Sequence, residues 1–232
     1  MIAYFLTFRH RTDPGARVNA AEATCFAEIV RATPKLEKAL LFTPASAHDP
    51  YLKDEVPLFA AQLYFADIAA LEAALAPTGH LQALTSRRDF PDLLERDVTQ
   101  QAMVTRRFAV PDPQFRTAPG ELPCTYLVAY EGMAEDLQLW LSHYITHHPP
   151  IMARFPDIRE IEIYTRLDWC GSLPWRRVDY MQRNKVVFDD AAALTAALNS
   201  PVRHEMRADF RKFPPFTGGN SHYPMATVTV LP

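Results

Sequence analysis

An α+β fold built from two β-α-β-β-α-β units is what this 232-residue sequence predicts, and three observations carry the prediction. The first is an internal overlap. At an offset of 123, Phe65-Ala-Asp-Ile-Ala-Ala-Leu-Glu-Ala-Ala-Leu75 lies over Phe188-Asp-Asp-Ala-Ala-Ala-Leu-Thr-Ala-Ala-Leu198, with eight identities in eleven positions. At an offset of 122, Ile29, Pro34 and Thr43 fall on Ile151, Pro156 and Thr165, and Tyr4 to Phe8 falls on Tyr126 to Tyr130. Such a period is the mark of a duplicated unit. The second observation is that strand and helix signals follow one order in each half. The third is composition: 48% hydrophobic and 22% charged residues are globular averages, and the length suits one large domain or two of roughly 115 residues.

The opening run Ile2 to Arg9 is apolar for only a few residues, follows no basic stretch and precedes no small-residue cleavage site, so it reads as a strand rather than a signal peptide. In the second half Thr125 to Tyr130 is β-rich. Glu135 to His147 then places Leu137, Leu141 and Tyr144 at helical spacing, and Pro149-Pro150 is expected to stop that helix. Ile158 to Tyr164 alternates apolar and polar residues as a strand does. After the turn signal Cys170 to Pro174, a further strand runs from Tyr180 to Phe188. Asp189 or Asp190 can cap an Ala-rich helix ending at Leu198, a second helical stretch covers Pro201 to Phe213, and Ala226 to Val230 closes the half as a β-branched strand.

That order is the ferredoxin-like unit, a four-stranded antiparallel sheet with both helices on one face. The other face is left apolar and bare, which predicts that the two sheets pack face to face into one barrel within the chain. The expected divisions are residues 1–110, a Pro-rich linker at 111–122 and residues 123–232.

Several function classes are disfavoured. Lys and Arg number 24 against 27 Asp and Glu, a formal charge of −3, and no basic run offers a phosphate-neutralising surface, so nucleic acid is set aside as a partner. No window approaches the ~18 apolar residues of a membrane span. Cys25, Cys124 and Cys170 are odd in number and widely spaced, which suits a reducing cytoplasm rather than a disulfide framework. No dinucleotide or P-loop glycine pattern and no G-x-S-x-G elbow occurs.

Residues 123–232 resemble the EthD-like branch of the dimeric α+β barrel superfamily. The resemblance rests on His148-Pro-Pro-Ile-Met-Ala-Arg-Phe-Pro156 before the second strand, and on Asn199-Ser-Pro201 followed by Asp209-Phe210 and Phe213. Asp157 stands where that family usually has glycine, and the first half has Cys25, Phe26 and Ala27 where the histidine region falls. The resemblance implies a small-molecule pocket between helices and sheet or inside the barrel, with His148 as the functional residue. Related barrels include cofactor-free monooxygenases, lactone isomerases, polyketide cyclases and some haem proteins.

From its chemistry alone, His148 can move a proton in either direction near neutral pH, although a histidine at a helix end also serves simply to orient the chain. His222, after Gly218-Gly219, is a second-rank catalytic candidate at the pocket rim, with Asn220 and Tyr223 beside it; a Gly-Gly loop is more often only a turn. His143 and His147 share a helix face at metal-chelating spacing, but no third ligand is evident and no metal site is expected, so they are taken as pocket residues with Tyr144. If Ile161 and Ile163 face the helices, Glu160, Glu162 and Tyr164 face the barrel interior. Two carboxylates there would provide an acid, or would pair with Arg183 and Lys185 on the neighbouring strand. Trp169 is a candidate apolar wall.

The leading expectation is a cofactor-free lyase or isomerase in which His148 is general acid or base toward an apolar carbonyl-bearing or aromatic compound. The alternatives are a non-catalytic binder or accessory protein for a hydrophobic molecule, and a haem protein with a histidine axial ligand. A homodimer of such paired units is the expected further assembly.

Overall fold

A computed structural model describes residues 1–10, 16–50 and 55–232. Residues 1–108 form β1 (Ile2–Arg9), α1 (Ala20–Arg31), β2 (Leu36–Pro44), β3 (Phe59–Phe65), α2 (Ile68–Leu75) and β4 (Asp97–Phe108), with two short 3-10 turns before β4. Residues 124–231 form β5 (Cys124–Tyr130), α3 (Leu137–Met152), β6 (Glu160–Arg166), the two-residue β7 (Arg176–Arg177), β8 (Gln182–Phe188), α4 (Ala191–Leu198), α5 (Pro201–Phe210) and β9 (Asn220–Leu231).

Local chemistry sets several of these boundaries. The Asp67 side chain accepts from the Ala70 amide to start α2, and Asp190 accepts from Ala193 to start α4, each satisfying an amide that the first turn leaves unpaired. Before β2 and β6 the chain turns through left-handed residues at matching positions, Lys35 (φ 59°) and Asp157 (φ 58°). This conformation suits glycine best, which accounts for the glycine that the family resemblance leads one to expect at 157.

The sheet order is β1-β3-β2-β9-β5-β8-β6-β4, and β4 pairs back to β1, closing an antiparallel barrel of eight strands. β7 is a short parallel addition on β4. Closure depends on two long strands of 12 residues each. β4 pairs with β1 through residues 97–104 and with β6 through 103–108; β9 pairs with β5 through 220–226 and with β2 through 225–231. The expected closed barrel is found, with the inner faces of both halves meeting across its interior, and hydrogen-bonded edges join the two sheets into one wall. The reason is the cost of an open edge, whose row of unpaired amides and carbonyls is satisfied here by the other half of the chain.

Both surfaces of that wall are buried. Outside, α1 and α2 cover a core including Phe8, Phe26, Phe59 and Leu71, while α3 to α5 cover one including Tyr130, Trp140, Ile161 and Phe188. Inside, Phe5, Phe42, Tyr64, Met103, Tyr164 and Met225 fill the barrel. Two expected boundaries move. α3 runs on through Pro149 and Pro150 to Met152, whose packing in the second-half core offsets the missing donors and the close ring contacts that the prolines bring to the last turn. β9 begins at Asn220, so His222 and Tyr223 lie in a strand rather than in the preceding loop. No helix among the described residues is long and apolar enough to cross a membrane.

Candidate active site

His148 sits in the last turn of α3 and is only 5% exposed. Its Nδ1 lies 2.7 Å from Oδ2 of Asp209, on α5, which is itself buried at 6% exposure. Burial lowers the His148 pKa; the hydrogen bond to Asp209 opposes that shift, and Arg203 and His222 add to it. The Asp209 pKa is lowered: burial works against ionisation, and the hydrogen bond from His148 together with the charges of His148 and His143 outweighs it. Both directions define one protonation state, a neutral imidazole facing an ionised carboxylate. An ionised carboxylate can only accept, so Nδ1 carries the proton and Nε2 carries the lone pair.

The ring is held in place on its other sides. Tyr144 lies against it at 4.8 Å between centroids and Phe213 at 5.0 Å, edge to face. The Tyr144 hydroxyl accepts from Asn184 Nδ2 at 2.7 Å. With Nδ1 engaged, Nε2 is the nitrogen left for the pocket. That pocket, about 40 Å³, lies between the sheet and α3 to α5, with Tyr126, Met152, Phe155, Phe188 and Leu194 among its walls. His148, Arg203, Met206, His222 and Tyr130 are shared with an adjoining cleft of about 250 Å³ that also meets Asn220, Arg207 and Arg211. The resulting site is an apolar chamber with a neutral base at its edge and a polar, cationic mouth.

The first half of the chain braces the site from outside its lining. Asp49, after β2, takes hydrogen bonds from the Tyr126 hydroxyl (2.5 Å) and from Arg203 Nη2 (2.7 Å), and the His48 amide donates to Thr195 Oγ1. Ala45 and Ala47 pack on the second-half core.

Not all the sequence-selected residues converge here. His148, His222 and Asn220 line the cleft, and Tyr144 supports His148 from behind. His222 is 8% exposed, faces Tyr126 at 5.4 Å and pairs in register with Val128. His143 reaches Oδ1 of Asp209 at 3.4 Å, an ion-pair distance without hydrogen-bond alignment. His147 is exposed, its Nδ1 on the carbonyl of His143. The other expected pocket residues lie elsewhere. Tyr223 points into the barrel and accepts from Arg9. Trp169 packs edge-on to Tyr4 in the first-half core, under Arg177.

Glu162 and Tyr164 are fully buried in the barrel, where Glu162 Oε2 accepts from Tyr64 (2.5 Å) and Tyr164 (2.6 Å) and lies 3.2 Å from Lys185 Nζ. They cannot provide the acid that paired carboxylates suggested. Burial alone would raise the Glu162 pKa, but Lys185, the two tyrosines and Arg107 hold it down at about 2. The neighbouring-strand pairing is the one realised, since Glu162 and Lys185 stand opposite in register.

Two residues central to the site were not selected from sequence. Asp209 entered only as part of a motif, and its role depends on α5 crossing α3. Asp49 carries no signal at all, because its partners are 77 and 154 residues away.

A haem group does not fit these residues. His148 with Asp209 behind it has the right chemistry for an axial ligand. However, the space in front of Nε2 is about 40 Å³ and the adjoining cleft about 250 Å³, each below the roughly 300 Å³ at which clefts for drug-sized ligands begin.

No protein-family model matches the sequence, and no curated protein matches it. Solved structures do match the fold. An anthrone oxidase-like protein aligns over 99% of this chain and 93% of its own, with a TM-score of 0.61 and 11% identity. A candidate monooxygenase from Lactobacillus acidophilus aligns over 98% and 94%, with a TM-score of 0.52 and 13% identity. An arginine-to-alanine variant of chlorite dismutase from Candidatus Nitrospira defluvii aligns over 97% and 90%, with a TM-score of 0.51 and 11% identity. These likenesses show the fold alone: an eight-stranded antiparallel barrel with helices packed outside it, here closed within one chain.

Proposed function

We propose that this chain is an EthD-like enzyme of the dimeric α+β barrel class, arisen by duplication, with units at 1–110 and 123–232 joined by the 111–122 linker. Its substrate is a small apolar compound with a carbonyl or aromatic group. His148 Nε2 takes a proton from carbon next to that carbonyl, or assists loss of water, and returns it as general acid: lyase or isomerase chemistry without a tightly bound cofactor. The observation that carries this reading is the buried His148–Asp209 pair, which leaves one basic nitrogen for an apolar pocket. A neutral base at the edge of an apolar pocket is poised for proton transfer near pH 7, a contribution typically worth 10² to 10⁴ in rate. Phe26, the counterpart of His148 at the 122-residue offset, is a core residue, so the chemistry is assigned to the second half alone.

The test begins with native and denaturing mass spectrometry of the purified protein to identify a retained ligand, followed by a substrate screen built on its chemistry. His148→Ala is expected to lower kcat/KM for the substrate found by roughly 10² or more. A loss within twofold would remove the acid/base role. A ligand that binds unchanged, with His148→Ala altering affinity alone, would establish the binding protein instead.

A further inference from the structure

Two of the five lysines in the chain meet at one end of the barrel. Lys38, on β2, and Lys185, on β8, both reach Oε1 of Glu160, at 3.9 and 3.1 Å. Their other surroundings differ. Lys185 is fully buried, lies 3.2 Å from Glu162 Oε2 and donates to the Tyr64 hydroxyl at 2.9 Å. Burial works against its charge, but Tyr64, Glu162 and Glu160 outweigh that and hold its pKa above the ordinary value. The Lys38 side chain is 24% exposed and stands 5.8 Å over the Tyr64 ring. Among the described residues, Glu160 is the one carboxylate within ion-pair distance of it.

Arg107, on β4, takes the other oxygen of Glu162 at 3.0 Å, so among the described residues three cations share two carboxylates here. The proton most readily given up is that on Lys38, because three acceptors surround Lys185 and a guanidinium keeps its charge. Discharging Lys38 leaves two cations for two carboxylates. The groups that face it act in that direction. Burial and the Lys185 charge lower the Lys38 pKa and Arg107 adds to this, against Glu160 and Glu162. Tyr64, opposite Lys38 in register on β3, stays a neutral phenol, chiefly because burial pushes its pKa up. β9, the other neighbour of β2, brings the uncharged Thr229 and Leu231. A lysine desolvated beside another ammonium is an activated nucleophile, since the neutral amine is the reactive form.

We propose that Lys38 is a carbonyl-capture site, at which the amine at the barrel end takes up small aldehydes as imines. Nζ adds to the carbonyl carbon to form the N–C bond, and the carbonyl oxygen leaves as water with both amine protons. The charge count favours this class over carbon dioxide, because a carbamate would bring a third anion to two cations, whereas an imine is neutral. The His148 pocket lies on the other side of the wall, between the sheet and the helices, and no described lysine lines it or its cleft. The two chemistries are therefore independent.

The experiment exposes the whole protein to propanal for short times, traps imines with borohydride and maps the alkylated lysines by mass spectrometry. Lys35 and Lys212, both more exposed than Lys38, are the references. Near pH 7, Lys38 is expected to react roughly threefold faster than either, or more, because a larger share of it is neutral. The advantage should shrink as the pH rises toward about 10.4, where an ordinary lysine loses its proton as well. Lys185→Met takes away the neighbouring ammonium and should bring Lys38 down to the reference rate. Arg107→Gln is the milder change and should slow Lys38 about twofold. Labelling of Lys38 no faster than that of the references near pH 7 would overturn the proposal. So would an advantage that stays constant with pH, as access alone would give. An unaltered Lys38 rate in folded Lys185→Met or, if that variant does not fold, in Arg107→Gln, would do the same.

Discussion

At the residue scale the site turns on which nitrogen of His148 carries a proton. Asp209 raises the His148 pKa, whereas burial, the largest influence, lowers it below the ordinary 6.5. The consequence for activity has a definite sign: Nε2 is basic above the lowered pKa, so kcat/KM falls only as the pH drops below 6.5. Stability follows the same direction, because below 6.5 the unfolded chain binds a proton that the folded chain resists, and stability is lost as the pH falls toward the folded pKa. Asp209→Asn removes the influences that raise the pKa and frees the ring to adopt the other tautomer. We expect the acid limb of the kcat/KM profile to move to lower pH and the plateau to fall on the order of 10²-fold or more, measured as a pH–rate profile beside the parent. An unchanged plateau would reduce Asp209 to a packing role. His148 was legible in the sequence as a histidine within a motif, but its orienting carboxylate lies 61 residues away, and no spacing rule joins the two.

At the element scale β6 shows how one strand serves two cores. Ile161 and Ile163 pack under the helices, while Glu162 and Tyr164 point into the barrel, as period-2 alternation requires. The alternation was readable along the chain. The fate of Glu162 was not, because an interior carboxylate is an acid or an ion-pair partner according to what stands on the neighbouring strand. Here Lys185 stands opposite it and keeps it ionised. Glu162→Gln would leave Lys185 fully buried with only Glu160 in reach, and should cost roughly 3–5 kcal/mol in denaturant unfolding. The wild type should lose this stabilisation as the pH falls from the ordinary 4.5 toward about 2. Its folded pKa is depressed, so in that window the unfolded chain takes up the proton first. Glu162→Gln should flatten that part of the stability–pH curve, and an equally steep curve in the variant would place the titration elsewhere. α3 teaches a related lesson, since Pro149-Pro150 reads as a stop, yet the packing of Met152 carries the helix one turn further.

At the scale of the whole molecule, neither half has its sheet edges satisfied alone. Residues 123–232 expose both the outer edge of β6 and that of β9 unless β4 and β2 cover them. Expressed alone, this segment should aggregate or remain unfolded. Co-expression with residues 1–110 should recover a soluble complex, seen as a single species by size-exclusion chromatography. A stable, monomeric 123–232 fragment with native circular dichroism would contradict the role assigned to those edges.

The sequence by itself determined the order of strands and helices, the alternation of core and interior faces, an aspartate cap at 189 or 190 for the Ala-rich helix, and the histidine put forward for the site. These rest on contacts between residues close in the chain, whose geometry has a fixed period. Only the tertiary structure decided that the sheets close edge to edge through two long strands, that Asp209 and not another acid orients His148, and that Asp49 reaches across to Arg203. Those outcomes depend on which distant segments meet. That is set by the joint need to bury both faces of the sheet and pair every edge, a condition that no local stretch of sequence expresses.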